Sequence, residues 1–351
     1  MVAPQPRKTS YDGKRALMSE DLDLVSVVVV TYNSAPVIET CLESIHTQTY
    51  RALEILIIDN ASTDQTARLV ADTDLSPRLI ENEANVGFAA AHNQGIRLSR
   101  GAYYLALNPD VVMAKDFVDR LVSAARTNPG VGSVSGKLVR PETGRGAPLL
   151  DSTGIYMTPA LRHLDRGSGE LDHGQFDRRQ YVFGASGAAA LYRRAMLDDI
   201  AFDGQYFDED FFVYREDADL AWRAQLRGWS CLYTPDAIAH HERRVVPERR
   251  RELPEAINRH SVKNRFLLRI NNVSFLEFLA LFVPILVRDL CVFGYVLLVE
   301  RSSLPGLWFI VQNLARLLKK RRAILSRRTA SRRELLRWFR FRPVAFEWEP
   351  R

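Results

Sequence analysis

Three cysteines in 351 residues (Cys41, Cys231 and Cys291) are too few and too widely spaced for a disulfide framework, and no two stand at metal-ligand spacing. A reducing, cytosolic compartment is the expectation. An apolar leader is also missing. Residues 1–23 are polar, contain Pro4, Pro6 and Gly13, and read as a flexible extension, not a signal peptide. Nowhere is there the run of ~20 apolar residues that a spanning helix needs. Arg288 and Asp289 separate the uncharged stretches 278–287 and 290–299, and 302–315 is interrupted by Pro305, Gly306, Gln312 and Asn313. These stretches read as buried or interfacial helices. The usual phosphate cradles are absent too: there is no GxxxxGK[ST] and no GxGxxG after the first predicted strand. A nucleotide would have to be held without a glycine-rich loop.

What is present is an ample core. Hydrophobic residues make up 46% of the chain, which excludes global disorder. The net charge of +6 is unevenly placed. Residues 311–351 hold 13 Lys/Arg against 3 Glu, a net +10, so the remainder is net negative. The basic character belongs to the tail and gives no ground for nucleic-acid binding by the main body. Within the tail, Lys and Arg are interleaved with Leu317, Leu318, Leu325, Leu335, Leu336, Trp338 and Phe339. A basic amphipathic helix with aromatics reads as a segment for an anionic membrane surface.

Hydrophobic periodicity divides the body into alternating elements. Leu24–Thr31 is a continuous β-branched run, the mark of a strand buried on both faces. Further strands are predicted at Leu53–Ile58, Arg78–Glu81 and Tyr103–Leu107, with helices at Pro36–Thr47, Thr63–Ala71 and Phe88–Leu98, the last closed by Gly101. Strand–helix alternation at this spacing predicts an α/β fold with a mostly parallel sheet and helices on both faces. Beyond residue 110 come a helix (Phe117–Arg126), a strand (Val131–Leu138), a long excursion (141–180), a small-residue segment (Tyr181–Tyr192), a helix (Ala218–Arg227) and a short strand (Ser230–Tyr233). The division expected is an extension (1–23), a nucleotide-binding half (24–110), an acceptor-binding and catalytic half (111–245) and a C-terminal region of apolar and basic helices (246–351).

In an open α/β sheet, ligands sit beyond the carboxyl ends of the strands where strand order reverses. Four predicted strands end in polar residues: Thr31-Tyr32-Asn33, Asp59-Asn60-Ala61-Ser62, the stretch Asn82 to Gly87, and Asn108-Pro109-Asp110. Loops are polar in any case, so each alone is weak evidence; four converging are stronger. Without a glycine cradle, a divalent cation on a carboxylate would compensate phosphate charge, and Asp110 is best placed for it. Glu216-Asp217 precede a predicted helix. Asp217 at or beside the N-cap is explained by capping alone, or by catalysis. The aromatics Tyr206, Phe207, Phe211, Phe212 and Tyr214 read as core, or in part as an apolar wall for a sugar. Gly184-Ala185-Ser186-Gly187 is one residue short of a GxSxG elbow and reads as a place where a sugar approaches the backbone.

Five ordered motifs carry a resemblance. Val28-Val29-Val30-Thr31-Tyr32-Asn33-Ser34, Ile57-Ile58-Asp59-Asn60-Ala61-Ser62-Thr63-Asp64, Asn85-Val86-Gly87-Phe88-Ala89-Ala90-Ala91-His92-Asn93-Gln94-Gly95, Leu107-Asn108-Pro109-Asp110 and Tyr214-Arg215-Glu216-Asp217-Ala218-Asp219-Leu220-Ala221-Trp222-Arg223 resemble inverting family 2 glycosyltransferases of the GT-A fold, over roughly residues 24–245. The subgroup most similar is the bacterial rhamnosyltransferases of cell-wall and O-antigen assembly. The resemblance implies a nucleotide-diphosphate sugar donor, dTDP-rhamnose first and UDP-sugars second, and a polyprenyl-diphosphate-linked acceptor at the cytoplasmic membrane face. It implies that Asp59 contacts a pyrimidine, with Thr31, Tyr32, Asn33, Asn60, Asn85, Gly87, Phe88, Asn93 and Asn108 as the other nucleotide-binding candidates. Asp110 would hold Mg²⁺ or Mn²⁺. Here Asn-Pro-Asp stands where many relatives have Asp-x-Asp, leaving one carboxylate. Of two candidate histidines downstream, His240 is preferred over His241 as a further metal or phosphate contact. Asp217, beside Glu216, would be the general base for the acceptor hydroxyl. A nucleotidyltransferase and an inactive sugar-nucleotide-binding protein are the alternatives.

Overall fold

The computed structural model describes residues 23–141, 147–243 and 254–348. The expected N-terminal extension, apart from Asp23, lies outside them, as does Arg244. The first half runs β1 (Val25–Thr31), α1 (Ile38–His46), β2 (Leu53–Asp59), α2 (Thr66–Ala71), β3 (Arg78–Glu81), α3 (Phe88–Leu98) and β4 (Tyr103–Leu107). It continues with β5 (Val111–Met113), α4 (Phe117–Arg126), β6 (Val131–Val139), β7 (Leu150–Ser152), β8 (Ile155–Met157), β9 (His163–Asp165), β10 (Gln180–Val182), β11 (Ala189–Arg193), α5 (Arg194–Ile200), α6 (Glu216–Leu226) and β12 (Ser230–His241). The C-terminal part is α7 (Glu255–Asn272), α8 (Phe275–Ala280), α9 (Phe282–Leu298), α10 (Leu304–Gln312), α11 (Leu314–Ser326), α12 (Arg332–Leu336) and β13 (Phe346–Glu347).

Among the described residues one sheet has the order β13-β10-β12-β6-β11-β4-β1-β2-β3, with β5 on β12 and β7 on β6. β3, β2, β1 and β4 are parallel. From β11 onward most pairings are antiparallel, β12 with β6 excepted. The expectation of a mostly parallel sheet therefore holds for the N-terminal half only. The reason is in the connections. Helical crossovers of the first half return each strand in the same sense, whereas among the described residues β6 to β11 follow one another with no α-helix between them. The sheet also crosses residue 110 without a break, so the two expected halves share one sheet.

β1 is buried throughout, and its alternation feeds two cores. Val25, Val27 and Val29 pack with Ile38, Cys41 and Leu42 of α1 and Phe117, Val118 and Leu121 of α4. Val28 and Val30 pack with Ala89, Ala91 and Ile96 of α3. α3 comes close because Gly95 has no Cβ; one there would stand 2.6 Å from Val28 Cγ1. Gly101 plays a similar part against Ser26 and Tyr103, and is not the helix terminator expected: α3 is capped at Ser99, and Gly101 has no left-handed backbone. Order reverses at β1, which has β2 on one side and β4 on the other, so their carboxyl ends open a crevice.

A third core joins the C-terminal region to α6. Trp222, Phe183 and Phe211 pack with Leu267, Leu268, Leu317, Ile324, Leu335, Trp338 and Phe339. Charge follows the same path. Lys320 bonds Asp208 (2.6 Å) and Asp210, Arg316 bonds Asp210 (2.7 Å), and Arg328 pairs with the buried Glu277 (2.7 Å). Asn271 reaches Asp208 (2.7 Å) and Asn272 reaches Asp219 (2.7 Å), which also holds Arg223 (2.8 Å). Several bases that read as membrane-facing thus neutralise carboxylates of the main body. Among the described residues no single helix is long and apolar enough to cross a membrane; α9 with Arg301–Gln312 passes that test only as a pair bent by 110°.

The tail is accordingly part of the folded core. Trp338 is 2% exposed and donates its indole N–H to Gln225 Oε1 (3.1 Å). Trp338→Ala should cost about 3–5 kcal/mol, the usual range for emptying a buried aromatic site. Urea unfolding checks this; a loss under ~1 kcal/mol would mean that the tail rests on the body without supporting it.

Candidate active site

The first wall of the crevice is made of loops stitched to one another. Asp59, 2% exposed, accepts hydrogen bonds from Thr31 Oγ1 (2.7 Å), Ser62 Oγ (2.5 Å) and the Ser62 N–H (2.8 Å). Three of the roughly four lone-pair directions of a carboxylate are thereby used. Asn33, at φ 51°, donates its N–H to Ser62 Oγ (2.9 Å) and accepts from the Thr63 N–H (2.8 Å). Asn60 Nδ2 donates to the Gly87 carbonyl (3.3 Å), and its Oδ1 accepts from Asn82 (2.9 Å). Asn85 Oδ1 accepts from the Gly87 N–H (2.9 Å). Gly87, at φ 87°, turns the chain into α3 where any Cβ would stand 2.5 Å from the Phe212 ring. The expected nucleotide contacts therefore divide. Tyr32, Asn33 and Asn85 are exposed on the rim, while Thr31 and Asn60 are buried supports. Phe88 is half-buried, its ring 4.1 Å from that of His92.

Asn93 corrects the sequence reading. It is fully buried, donates to the Phe207 carbonyl (2.8 Å) and Glu209 (2.9 Å), and accepts from the N–H groups of Tyr206 (3.1 Å) and Phe207 (2.8 Å). Its amide has no capacity left for a nucleotide. It pins α3 to the 206–209 segment instead.

The second feature lies past β4. Asp110 Oδ1 is buried with no hydrogen-bond partner, and His241 Nε2 stands 3.4 Å from it. His241, not the preferred His240, faces the carboxylate: β12 runs to residue 241, and its alternation turns Ala237, Ala239 and His241 inward and His240 out to solvent. The other ring nitrogen, Nδ1, is 2.7 Å from the buried Asp151, which also binds Arg243 (2.8 Å); Arg243 in turn binds Asp165 (2.6 Å). Burial opposes a charge on the ring, but the nearby carboxylates Asp110 and Asp151, the second hydrogen-bonded to it, prevail and raise its pKa to about 9. The imidazolium thus occupies the cation's place beside Asp110. An orphaned carboxylate oxygen next to a histidine nitrogen is a donor set that suits a small divalent ion. Among the described residues no cluster of three or more His, Cys, Asp or Glu could hold a metal by itself, so other oxygens would have to complete the shell.

The third feature is the start of α6, two residues earlier than expected. Arg215 is the N-cap, so Glu216 and Asp217 lie in the first turn. Three non-glycine residues with positive φ lead in: Phe212 (φ 66°), Tyr214 (φ 67°) and Arg215 (φ 73°). Strain of this kind persists only where surrounding contacts enforce it, and it gathers at functional sites. Asp217 accepts from the Gly187 N–H (3.0 Å, Oδ2) and the Ala218 N–H (2.7 Å, Oδ1). Burial, with Asp165 adding to it against those two N–H groups, raises the Asp217 pKa. Glu216 is 6% exposed, its Oε2 has no partner, and burial with the charge of Asp217 raises its pKa well above the carboxylate range. Both carboxyls are pushed up, Glu216 further, and the two N–H groups at Asp217 favour its anion, so Asp217 ionises before Glu216. Glu216, expected to share the catalytic role, is thereby the weaker candidate for the ionised base.

One turn joins the two ends. The Asn108 N–H bonds the Ala188 carbonyl (2.8 Å), and the adjacent Gly187 N–H bonds Asp217. The small residues of 184–187 admit α6, not a sugar as expected: a Cβ on Gly184 would stand 2.4 Å from Ala221 Cβ, and one on Gly187 3.3 Å from Asp217 Cβ. Phe207 and Phe211 are core, and Phe212 stacks on His260 (4.8 Å, 10°). Sequence reasoning did not find Asp151, Asp165 and Arg243. The signal for His241 existed, in the period of two through Ala237, Ala239 and His241.

The architecture and the paired acidic sites define a sugar-transfer fold, and the comparisons agree. The family model described as Glycosyl transferase family 2 matches residues 26–201. The N-acetylglucosaminyl-diphospho-decaprenol L-rhamnosyltransferase of Mycobacterium tuberculosis is 30% identical over 240 residues, 63% of this chain and 76% of that one. The poly-beta-1,6-N-acetyl-D-glucosamine synthase of Staphylococcus epidermidis is 26% identical over 235 residues, 65% of this chain and 52% of the synthase. Among solved structures, the mannosyltransferase of Pyrobaculum calidifontis in complex with GDP-Man and Mn²⁺ has a TM-score of 0.50 at 22% identity, covering 88% of this chain and 84% of its own. S. aureus TarS has 0.52 at 20%, covering 86% and 50%. These two show the fold. The chain belongs to glycosyltransferase family 2 and is related to its rhamnosyltransferases.

Asp217→Asn keeps shape and removes the anion. The turnover number should fall ~10²–10⁴-fold with donor binding little changed, the usual cost of losing a general base. Because burial holds the proton on Asp217 to higher pH than the ordinary ~3.9, wild-type activity should fade on acidification above that value. Steady-state rates against pH check both. Equal turnover in the two proteins would remove Asp217 from the mechanism.

Proposed function

We propose that this protein transfers a sugar, rhamnose first among candidates, from a nucleotide diphosphate donor to a hydroxyl of a lipid-linked saccharide, with inversion, at a membrane face. The observation that carries the reading is the 187–188 turn, which ties the strand end bearing Asp110 to Asp217. A reaction that displaces a diphosphate from one face of a sugar by a hydroxyl on the other needs a cationic end and a basic end held at fixed separation. Asp217 takes the proton from the attacking hydroxyl. Asp59, Asn33 and Tyr32 line the entrance where a pyrimidine nucleotide would lie. Asp110 and His241 would hold Mg²⁺ or Mn²⁺, which when bound offsets the charge on the leaving diphosphate. The 30% identity to a decaprenol-linked rhamnosyltransferase supports dTDP-rhamnose and a polyprenyl diphosphate acceptor. No nucleic-acid partner is called for.

Membrane contact falls to the apolar helices. Val283, Val287, Leu290, Leu298, Trp308 and Val311 of α9 and α10 are 58–80% exposed, a run too continuous for an ordinary soluble surface. A bent pair with such a face suits the interface plane.

Donor hydrolysis with a panel of dTDP- and UDP-sugars, with and without Mn²⁺, tests the chemistry. A dTDP-rhamnose preference and stimulation by Mn²⁺ are expected; Asp110→Ala and His241→Ala should abolish the stimulation and His240→Ala should keep it. No hydrolysis of any nucleotide sugar would overturn the reading.

Flotation with anionic liposomes tests the membrane contact. Val287→Asp with Leu290→Asp should release the protein even at low salt, since each buried side chain is worth about 2 kcal/mol. Slow donor hydrolysis should survive. Undiminished flotation of the double variant would place the contact elsewhere.

A further inference from the structure

Behind His241 stands a carboxylate that the sugar-transfer chemistry leaves without a task. Asp151 is fully buried on β7 and lies 90 residues from His241 in the chain. β12 and β7 flank β6 on its two sides, and Val139 of β6 is paired with His240 on one side and Leu150 on the other. The β7 pairing runs Leu138 with Ser152 and then Val139 with Leu150. One step on β6 meets two on β7, so Asp151 is the extra residue of a bulge. Bulges re-aim a side chain and gather next to active sites. The side chain re-aimed here meets His241, whose Nδ1 is 2.7 Å from Asp151 Oδ2.

The imidazole is held tightly at one nitrogen and loosely at the other. The contact at Nδ1 is a full hydrogen bond, whereas Nε2 lies 3.4 Å from Asp110 Oδ1, a buried oxygen with no hydrogen-bond partner. What surrounds Asp151 decides which nitrogen keeps a proton. Its Oδ1 is 2.8 Å from Arg243 Nε and 3.5 Å from Arg140 Nε, and its Oδ2 accepts from Arg243 Nη2 (3.2 Å). Asp165 holds the same Arg243 nitrogen at 2.6 Å. An ionised carboxylate between guanidinium groups only accepts, so the proton of the Asp151–His241 bond belongs to Nδ1. Nε2 is then the nitrogen that can release its proton to solvent and turn a lone pair toward a cation beside Asp110. The strand end reads Asn108-Pro109-Asp110, with one carboxylate, so cation binding depends heavily on that lone pair.

We propose that Asp151 is a positioning residue for cation binding: it keeps a proton on Nδ1 of His241 and so presents Nε2, beside Asp110, to Mg²⁺ or Mn²⁺. The inference rests on the reading of Asp110 and His241 as the cation site. A carboxylate that merely balanced Arg243 would leave the histidine's tautomer and its metal affinity alone.

Asp151→Asn separates the two roles. Arg243 and Arg140 are donors and draw the amide oxygen to the Oδ1 side, which leaves the NH₂ facing Nδ1. The ring must then accept at Nδ1 and carry its proton on Nε2. An Asp→Asn change behind a functional histidine gives the wrong tautomer with the geometry intact. Mn²⁺ binding to the full chain is followed by electron paramagnetic resonance. Asp151→Asn should weaken it ~10–100-fold, the usual cost of losing a carboxylate behind a metal-bound histidine. His241→Ala should weaken it at least as much, and adding Asp151→Asn to His241→Ala should cost nothing more, because a positioning residue acts only through its histidine. Nitrogen NMR of Mg²⁺-saturated wild type should show the His241 ring protonated at Nδ1 and not at Nε2. That measurement needs no variant, so it decides the proposal even where Asp151→Asn does not fold; any other state of the ring overturns it. Unchanged Mn²⁺ affinity in Asp151→Asn also overturns the proposal, as does a further loss in the double variant, which would make Asp151 act independently of His241. If His241→Ala loses affinity and Asp151→Asn does not, the proposal fails and the cation site stands. If wild type and His241→Ala bind Mn²⁺ alike, the cation-site reading fails and the proposal with it.

Discussion

The hydrogen bond from the Gly187 N–H to Asp217 organises this site. It is short-range, yet it needs three long-range conditions. β11 must lie beside β4, so that Ala188 receives the Asn108 N–H. α6 must pack against the 184–187 turn, which a side chain at Gly184 would prevent. The 212–215 segment must take up left-handed backbone to start α6 where it does. Each condition costs energy or packing freedom, and the C-terminal helices help to meet it: Asn264 holds the carbonyls of Phe211, Val213 and Tyr214, and Asn271 and Asn272 bond Asp208 and Asp219. The region that reads as a membrane appendage is also the back support of α6.

Electrostatics divide the crevice into two zones. At the start of α6, two adjacent buried carboxyls are both pushed up, Glu216 further than Asp217, whose anion two backbone N–H groups favour. At the strand end, His241 bridges Asp110 and Asp151 as an imidazolium. A protein that needed only stability would pair or neutralise such groups, because unpaired buried charge is among the larger costs a fold can carry. Imbalance concentrated in one crevice is the pattern of a site arranged for charged ligands.

How much of this the sequence showed depended on the range of the interactions. β3, α3, β4 and α4 have the bounds that periodicity predicts, because one apolar stripe or one alternating run decides them locally. The five motifs and their order were likewise legible, since each follows a strand or opens a helix. The strand ends at Thr31, Asp59 and Asn108 meet because parallel neighbours bring carboxyl ends to one edge.

Tertiary structure decided the rest. Nothing local distinguishes Asn93, an amide on an exposed-looking helix, from a nucleotide contact; burial by the 206–209 segment does. His240 and His241 are chemically identical, and only the pairing of β12 with β5 and β6 turns the second inward. β6 to β11 lack the helical crossovers that make direction readable, so the antiparallel sense of β6 and β11 came from the fold. The basic tail showed its charge in the sequence, but its partners Asp208, Asp210 and Glu277 lie far away in the chain. Sequence alone determined which residue types are available and the local elements that carry them; contact between distant residues decided which are ligands, which are supports and which charges meet, because burial and pairing are properties of the folded neighbourhood.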